Sequence, residues 1–514
     1  MFRLTKILIL ILLITGSSKL AAQNPNNALL YSNQAVTFGD QGFANDPVSL
    51  IMPGTAYKSG LGSFIDNPAS LALHKRGFGE FGMSFRSIEE DAIFRGQSRS
   101  ADDRQNNVSN FGFLYSFPTV QGSFVIGAAY TQNSVFNRAV NFRALNNNSS
   151  ITDKFKAPGS PYQDIAFDTY ATDYGDEFED WDESIFRIGF DTFGDFLGIR
   201  QQGEIIQTGY NGEYSMFFAT EFQENLMVGA SLGILSGRFN YNRVFLELDS
   251  DNLYDSSDFL DSSGDGFGDT DIDRVSLDDR LRSRYAGIRA RIGFLYRANK
   301  NLNVGGSYTF RSTIEVDETF DADLTTRFDN NVEFSASTDS EFSYKVNYPS
   351  RVSLGLGLND IAGLSFSLST EYIDFSNTAI DFSESDLFDS ELLENDFISD
   401  SYRSVWNLRI GSEYQFSDEL TLRAGFGYRP SRFLNGSDHR SSFLAGAGFA
   451  VTNNVRLEFA AQYETWEENS ALYDYAVYNY SALPDSPPGV SFRSEEINRS
   501  VGRMNILGTV KVRL

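Results

Sequence analysis

Six times along this chain, two segments of about ten residues that alternate apolar with polar are joined by a short polar turn, and residues 503–514 form one more such segment. Side chains alternate across a strand, so a period of two writes a ribbon with two unlike faces. In residues 404–429, Trp406, Leu408, Ile410, Tyr414, Leu420, Leu422, Phe426 and Tyr428 share one face. Asn407, Arg409, Glu413, Gln415, Arg423 and Arg429 share the other. One face suits lipid and the other suits water.

A soluble antiparallel sandwich also alternates, so context must separate the two. Arg3 and Lys6 precede the apolar run 7–14, which is followed by Ser17, Ser18 and the small pair Ala21-Ala22 before Gln23. This pattern predicts a secretory signal peptide over residues 1–22. No later run reaches the roughly eighteen apolar residues that a spanning helix requires. Phe, Tyr and Trp make up 14% of the chain, yet its mean hydropathy is only −0.29. Membrane barrels hide from hydropathy in this way, because half of each strand and all the loops are polar. Cysteine is absent, which removes disulfides, thiol nucleophiles and thiolate metal sites. A net charge of −27 argues against nucleic acid as a partner and fits acidic, solvated loops.

One strand-like segment at 77–87, pairs at 111–132, 213–235, 285–311, 351–373, 404–429 and 441–464, and a last segment at 503–514 make fourteen. Tight turns alternate with long connections, the asymmetry of short periplasmic turns and long extracellular loops. The expected fold is therefore all-β: a transmembrane antiparallel β-barrel of about fourteen strands in a bacterial outer membrane. Residues 77–514 form the barrel. Residues 23–76 are not strand-like, carrying Gly39, Gly42, Gly54, Gly60 and Gly62, and are expected to fold into the lumen as a hatch. Asn67 suits a helix N-cap and Pro68 the first helical position, which predicts a short helical turn over 68–73.

Asn67-Pro68-Ala69 closing a Gly-rich segment, the strand count, the hairpin around 405–428, and Glu371 to Ser376 after Tyr348-Pro349 together resemble the FadL/TodX family of outer-membrane transporters for fatty acids and other hydrophobic compounds. The resemblance implies that the hatch plugs the barrel, that an outer groove captures a long-chain fatty acid or similar molecule, and that a gap in the wall releases it sideways into the bilayer. The loops are longer and more acidic than in better-known members, and residues 39–47 lack the usual Ala/Gly alternation. Passive uptake of a hydrophobic small molecule is the expected function, with outer-membrane lipids as surroundings. A second class stays open: related barrels such as the PorV group act as non-transporting scaffolds of protein secretion or surface-interaction proteins, holding protein partners through extracellular loops. A continuous apolar tunnel favours transport, and a sealed lumen favours a scaffold.

In the loop at 133–212, Phe186, Phe190, Phe193, Phe196 and Leu197 stand with Phe167, Tyr170, Phe178 and Trp181 among acidic residues. Such clusters mark ligand-capture patches or form a loop's own small core. Inward Arg289, Arg291, Arg297, Arg409, Arg423, Arg429, Arg456, Lys511 and Arg513 face Glu371, Glu413, Glu458 and Glu464. Buried charges need partners, so they pair across strands, anchor the hatch or hold a carboxylate head group. Asp261, Asp265 and Asp269, with Gly266 between them, have the spacing of a calcium loop, although Ile272 stands where a bidentate Glu would close it. A structural calcium ion or a plain solvated loop both fit, and no other cofactor is expected. Only His74 and His439 are present, and neither lies in a pattern that builds a nucleophile–base pair, so no catalytic site is expected.

Overall fold

The computed structural model describes residues 24–514 except 25, 44, 158, 176–177, 188–195, 255–259, 261–269, 384, 386 and 480–488. The expected signal peptide lies outside the described residues.

Among the described residues, eighteen strand segments form one sheet. Four strands are interrupted, so the segments make fourteen strands. β1 is Phe78–Phe94 and β2 Gln97–Phe117. β3 is Phe124–Val135, continued as Arg138–Asn146. β4 is Ile199–Gln223, β5 Leu226–Leu248 and β6 Ile272–Arg297. β7 comprises Leu302–Thr309 and Ser312–Phe328, and β8 comprises Glu333–Tyr348 and Arg351–Ile361. The break in β8 falls at Pro349, which has no N–H to give to a ladder. β9 is Leu364–Asp374 with Ala379–Asp381, β10 Ser404–Gln415, β11 Leu420–Arg429 and β12 Arg440–Ala450. β13 is Val455–Asn479 and β14 Gly489–Arg513. β14 pairs antiparallel with β1, from Phe78 opposite Arg513 to Ile93 opposite Asn498, and closes the barrel. This pairing leaves neither the first nor the last strand as an open edge in lipid.

The faces fall as the alternation requires. Trp406, Ile410 and Leu422 are exposed on the outside, and Arg409 and Arg423 are buried within. A cation on the outer face near mid-membrane costs roughly 2–4 kcal/mol. Leu422→Arg should therefore reduce the heat-modifiable, folded band on unboiled gels, and an unaltered band would mean that the two faces are reversed.

Several connections expected as loops are barrel wall. Residues 88–110 form the upper part of a β1–β2 hairpin that turns at Arg95-Gly96, both at positive φ. β4, β5 and β6 run for 25, 23 and 26 residues, although about ten tilted residues cross a bilayer. Alternation continues above the membrane while the two faces exchange character. On β5, Leu232 and Ile234 point outward below, and Arg238 and Asn242 point outward above. Inside the upper part, Phe239, Tyr241 and Phe245 join a large apolar cluster with Phe155, Tyr162, Ile165 and Phe186. A search for apolar outer faces passes over such strands, because above the lipid the outer face must be wet.

Candidate functional site

Residues before β1 lie within the barrel as two helices, α1 (Tyr31–Gly39) and α2 (Pro47–Ile51), and two 3-10 turns, Leu61–Phe64 and Pro68–Leu73. Asp46 organises the middle of this segment. Its carboxylate accepts from the N–H groups of Val48 at 3.1 Å, Ser49 at 2.9 Å and Gly62 at 3.0 Å. Burial, with Glu80 nearby, still pushes its pKa up to about 6. Asn67 caps the last turn, its side-chain oxygen accepting from Ala69 N–H at 3.0 Å. Its carboxamide NH2 donates to the Thr55 carbonyl at 2.7 Å and to the Phe294 carbonyl of β6 at 2.8 Å. One side chain thus caps the turn and bolts it to the wall.

Other ties run round the wall. Ser307 Oγ donates to the Asp66 carbonyl at 2.5 Å, Asp66 pairs with Arg409, and Thr55 Oγ1 meets Ser369 Oγ at 2.6 Å. Asp40 lies 3.2 Å from Arg429. Burial works to raise the Asp40 pKa, but Arg429, Arg440 and Arg432 overcome it and hold the carboxyl well below its usual range. The wall accepts this close contact because inward positions of β5, β6, β7, β8 and β10 are glycine. A Cβ on Gly229 would press on the Pro68–Ala69 backbone, one on Gly293 would fall on the Asn67 oxygen, and one on Gly411 would meet the Ile51 carbonyl.

The wall is not laddered throughout. β2 and β3 pair from Phe117 opposite Phe124 up to Asn110 opposite Thr131, and there the ladder ends. Above that level Gln97–Val108 of β2 pair only with β1 among the described residues. β3 bulges between Gln132 and Ser134, then continues as Arg138–Asn146 against β4. Inside the bulge lies a cavity of about 150 Å3, lined by Asn133 and Phe136 of β3 and by Asp40, Gly42 and Phe43 of the segment before β1. Ser134 Oγ donates to the Asp40 carbonyl at 3.1 Å. Gly42 has φ +56°, and a Cβ there would strike the Asn133 carbonyl, so both the backbone conformation and the clearance call for glycine.

The cavity wall is rich in donors. Arg429 pairs with Glu464 at 2.9 Å and Arg503 with Glu464 at 3.4 Å, while Arg138 and Arg499 share Glu90 and Glu468. Arg86, Arg432 and Arg440 also line it and have no carboxylate at ion-pair distance among the described residues. Arg86 donates to Gln132 at 2.7 Å, Arg432 donates to Thr37 at 2.8 Å, and Arg440 lies 4.6 Å from the Trp466 ring centre. Among the described residues, the side-chain amide nitrogens of Gln34, Asn45 and Asn133 are buried without a partner. Unsatisfied buried donors cost about 1–3 kcal/mol each, more beside charge. The chemistry of this set suits an anionic or strongly accepting group.

A family model described as outer membrane protein transport protein (OMPP1/FadL/TodX) matches residues 224–481. The chain belongs to this family. Solved structures similar to this family member include the Pseudomonas putida toluene transporter TodX, at 13% identity and TM-score 0.49, covering 92% of this chain and 99% of that one. The Ralstonia pickettii toluene transporter TbuX matches at 17% identity and TM-score 0.47, covering 93% and 100%. A Pseudomonas aeruginosa FadL homologue matches at 10% and 0.49, covering 92% and 98%. No curated protein sequence matches the chain.

In this OMPP1/FadL/TodX barrel the residues predicted from sequence are spread widely. Asn67, Pro68 and Ala69 meet the wall at β5 and β6. Phe186 is 2% exposed, with its ring 4.9 Å from that of Tyr254 inside the upper apolar cluster, the place of a loop-core residue. The extended wall gives that loop an apolar interior to fill, and the aromatic side chains turn inward to fill it. Phe196 is half-buried beneath Arg187, and Leu197 is 53% exposed at the outer surface. Phe190 and Phe193 lie outside the described residues, as do Asp261, Asp265 and Asp269. Among the inward cations, Arg291 binds Glu213 through two bonds of 2.6 and 2.8 Å, and Arg423 bridges Glu413 and Glu458 at 2.6 Å each. His439 accepts from the Ser431 N–H at 3.1 Å as an ordinary loop residue. Sequence reading missed the wall glycines and the β3 bulge. The glycines had a signal, their recurrence on inward positions of successive strands.

Proposed function

We propose that this chain carries hydrophobic compounds with an anionic head, long-chain fatty acids among them, across the outer membrane and releases them between β2 and β3. The observation that carries this reading is the unladdered seam above Asn110 and Thr131, which adjoins a donor-rich cavity between wall and hatch. An apolar solute crosses the polysaccharide surface poorly, and a seam beside the hatch would let it reach lipid without passing the periplasmic mouth. Arg86, Arg432 and Arg440 would receive a carboxylate there. A neutral hydrocarbon, such as the toluene named for TodX and TbuX, would leave those donors unused. Outside the seam, Phe111 stacks on Tyr130 with ring centres 5.3 Å apart, Tyr130 lies tilted 4.7 Å from Tyr214, and the exposed Phe111 and Tyr214 face lipid.

Labelled-oleate uptake should fall at least fivefold in Arg86→Gln/Arg440→Gln cells, while toluene accumulation changes little. Equal loss of both, or oleate uptake equal to wild type, would remove the head-group reading. A scaffold role is favoured by one observation, the packing of Phe155, Tyr162 and Phe186 across the upper lumen. Native mass spectrometry of the detergent-purified protein separates the two: a co-purified fatty acid supports uptake, and an empty barrel in cells that take up no oleate supports the scaffold.

A further inference from the structure

The end of the barrel with the short turns, periplasmic in such proteins, holds an open vestibule of about 580 Å3. Its lining is basic in a chain of net charge −27: Lys58, Lys75, Arg76, Arg423, Arg456, Lys511 and Arg513 face only Asp360, Glu413 and Glu458. Arg423 and Arg456 are held by Glu413 and Glu458, and Lys511 by Glu80 at 3.0 Å. Lys58, Lys75, Arg76 and Arg513 have no carboxylate at ion-pair distance among the described residues. The Arg513 guanidinium donates to the Asn453 carbonyl at 3.1 Å.

These cations line one vestibule. Lys58, exposed to the vestibule, extends from the segment before β1, and partial desolvation there, with the charges of Lys511 and Arg513, holds its ammonium below its ordinary value. Burial, Lys511 and Lys58 likewise push His74 well below the usual imidazole range. The His74 Nε2 is buried at the vestibule wall without a partner among the described residues. Lys511 thus bears on both Lys58 and His74 at the vestibule wall.

We propose that this vestibule binds a phosphate-bearing anion through Lys58, Lys75, Arg76 and Arg513. Four cations exceed what one carboxylate balances. A phosphate monoester carries about −1.5 to −2 charges and three acceptor oxygens, and arginine meets phosphate through two parallel bonds. The phosphate comes either from a lipid head group of the facing leaflet or from solution, since Lys75 and Arg76 are exposed on the rim beside the start of β1. Bound between Lys58 and Arg513, it ties the hatch to the closing strand β14.

The test uses the full-length purified protein and the variant Lys58→Gln/Arg513→Gln, both first shown to be heat-modifiable and so folded. Calorimetry with inorganic phosphate in detergent, and native mass spectrometry from nanodiscs of phosphatidic acid or of phosphatidylcholine, supply the two arms. Phosphate binding weakened at least tenfold in the variant supports a soluble source. Retention of phosphatidic acid but not phosphatidylcholine, lost in the variant, supports a lipid source. Wild-type affinity in the variant, no binding in either arm, or succinate binding as tightly as phosphate would overturn the proposal. Should the double variant fail to fold, Lys75→Gln/Arg76→Gln, at two exposed positions, is read by the same criteria.

Discussion

Removal of residues 503–514 should abolish folding into the membrane. That segment pairs with β1 from Phe78 to Ile88 on one side and with β13 from Val455 to Glu464 on the other. Without it, two strands face lipid with unpaired N–H and C=O groups, each costing several kcal/mol where no water can replace the partner. A handful of such groups already exceeds the whole stability of a typical domain, about 5–15 kcal/mol. Met504, Ile506, Val510 and Val512 point outward on the same segment, so the lipid contact is lost together with the ladder. The truncated chain should show no heat-modifiable band and no outer-membrane fraction. A truncated barrel that still inserts would make these residues a tail.

The membrane-level strands were legible because lipid imposes one rule everywhere: apolar outside, polar inside, period two. All fourteen segments appear near the expected positions, and Asn67 and Pro68 cap and open a short turn as their residue types require. The upper wall was hidden by a change of solvent. From Arg238 upward β5 keeps its period but exposes Arg238 and Asn242 and buries Phe239, Tyr241 and Phe245, so a rule written for lipid reads it as loop. The same change bears on Phe186, for which the sequence allowed a rimmed surface patch or a loop core: the apolar interior of the upper wall takes its ring. The β3 bulge carries no local signature, since Gln132, Asn133 and Ser134 are unremarkable polar residues. Their meaning comes from Gly42 and Asp40, about ninety residues earlier in the chain. Cations were legible as a set and not as pairs: Arg409 is held by Asp66 of the hatch, whereas Arg423 is held by the wall residues Glu413 and Glu458.

Loosening the hatch at its seat on β6 should open the barrel to small polar solutes. Glycine at Asn67 and Pro68 removes the cap from Ala69 N–H and both carboxamide bonds, to Thr55 and to Phe294. Each orphaned buried group costs about 1–3 kcal/mol, and freeing the backbone at Pro68 adds roughly 0.4–1 kcal/mol through the unfolded state. The sum is comparable with what holds a short segment in place, while the wall ladders are untouched. The barrel should therefore still fold and run as a heat-modifiable band. Gly293→Val attacks the same seat from the wall side, placing side-chain atoms where the Asn67 oxygen lies. If Asn67 and Gly293 act as one contact, combining the substitutions should add little to either alone, the non-additivity expected of touching residues. Nitrocefin permeation should rise severalfold in each variant, and directed oleate uptake should fall, because the cavity beside the β3 bulge is lined on one side by the hatch residues Asp40, Gly42 and Phe43. Wild-type values in both assays would show that this seat does not govern passage through the barrel.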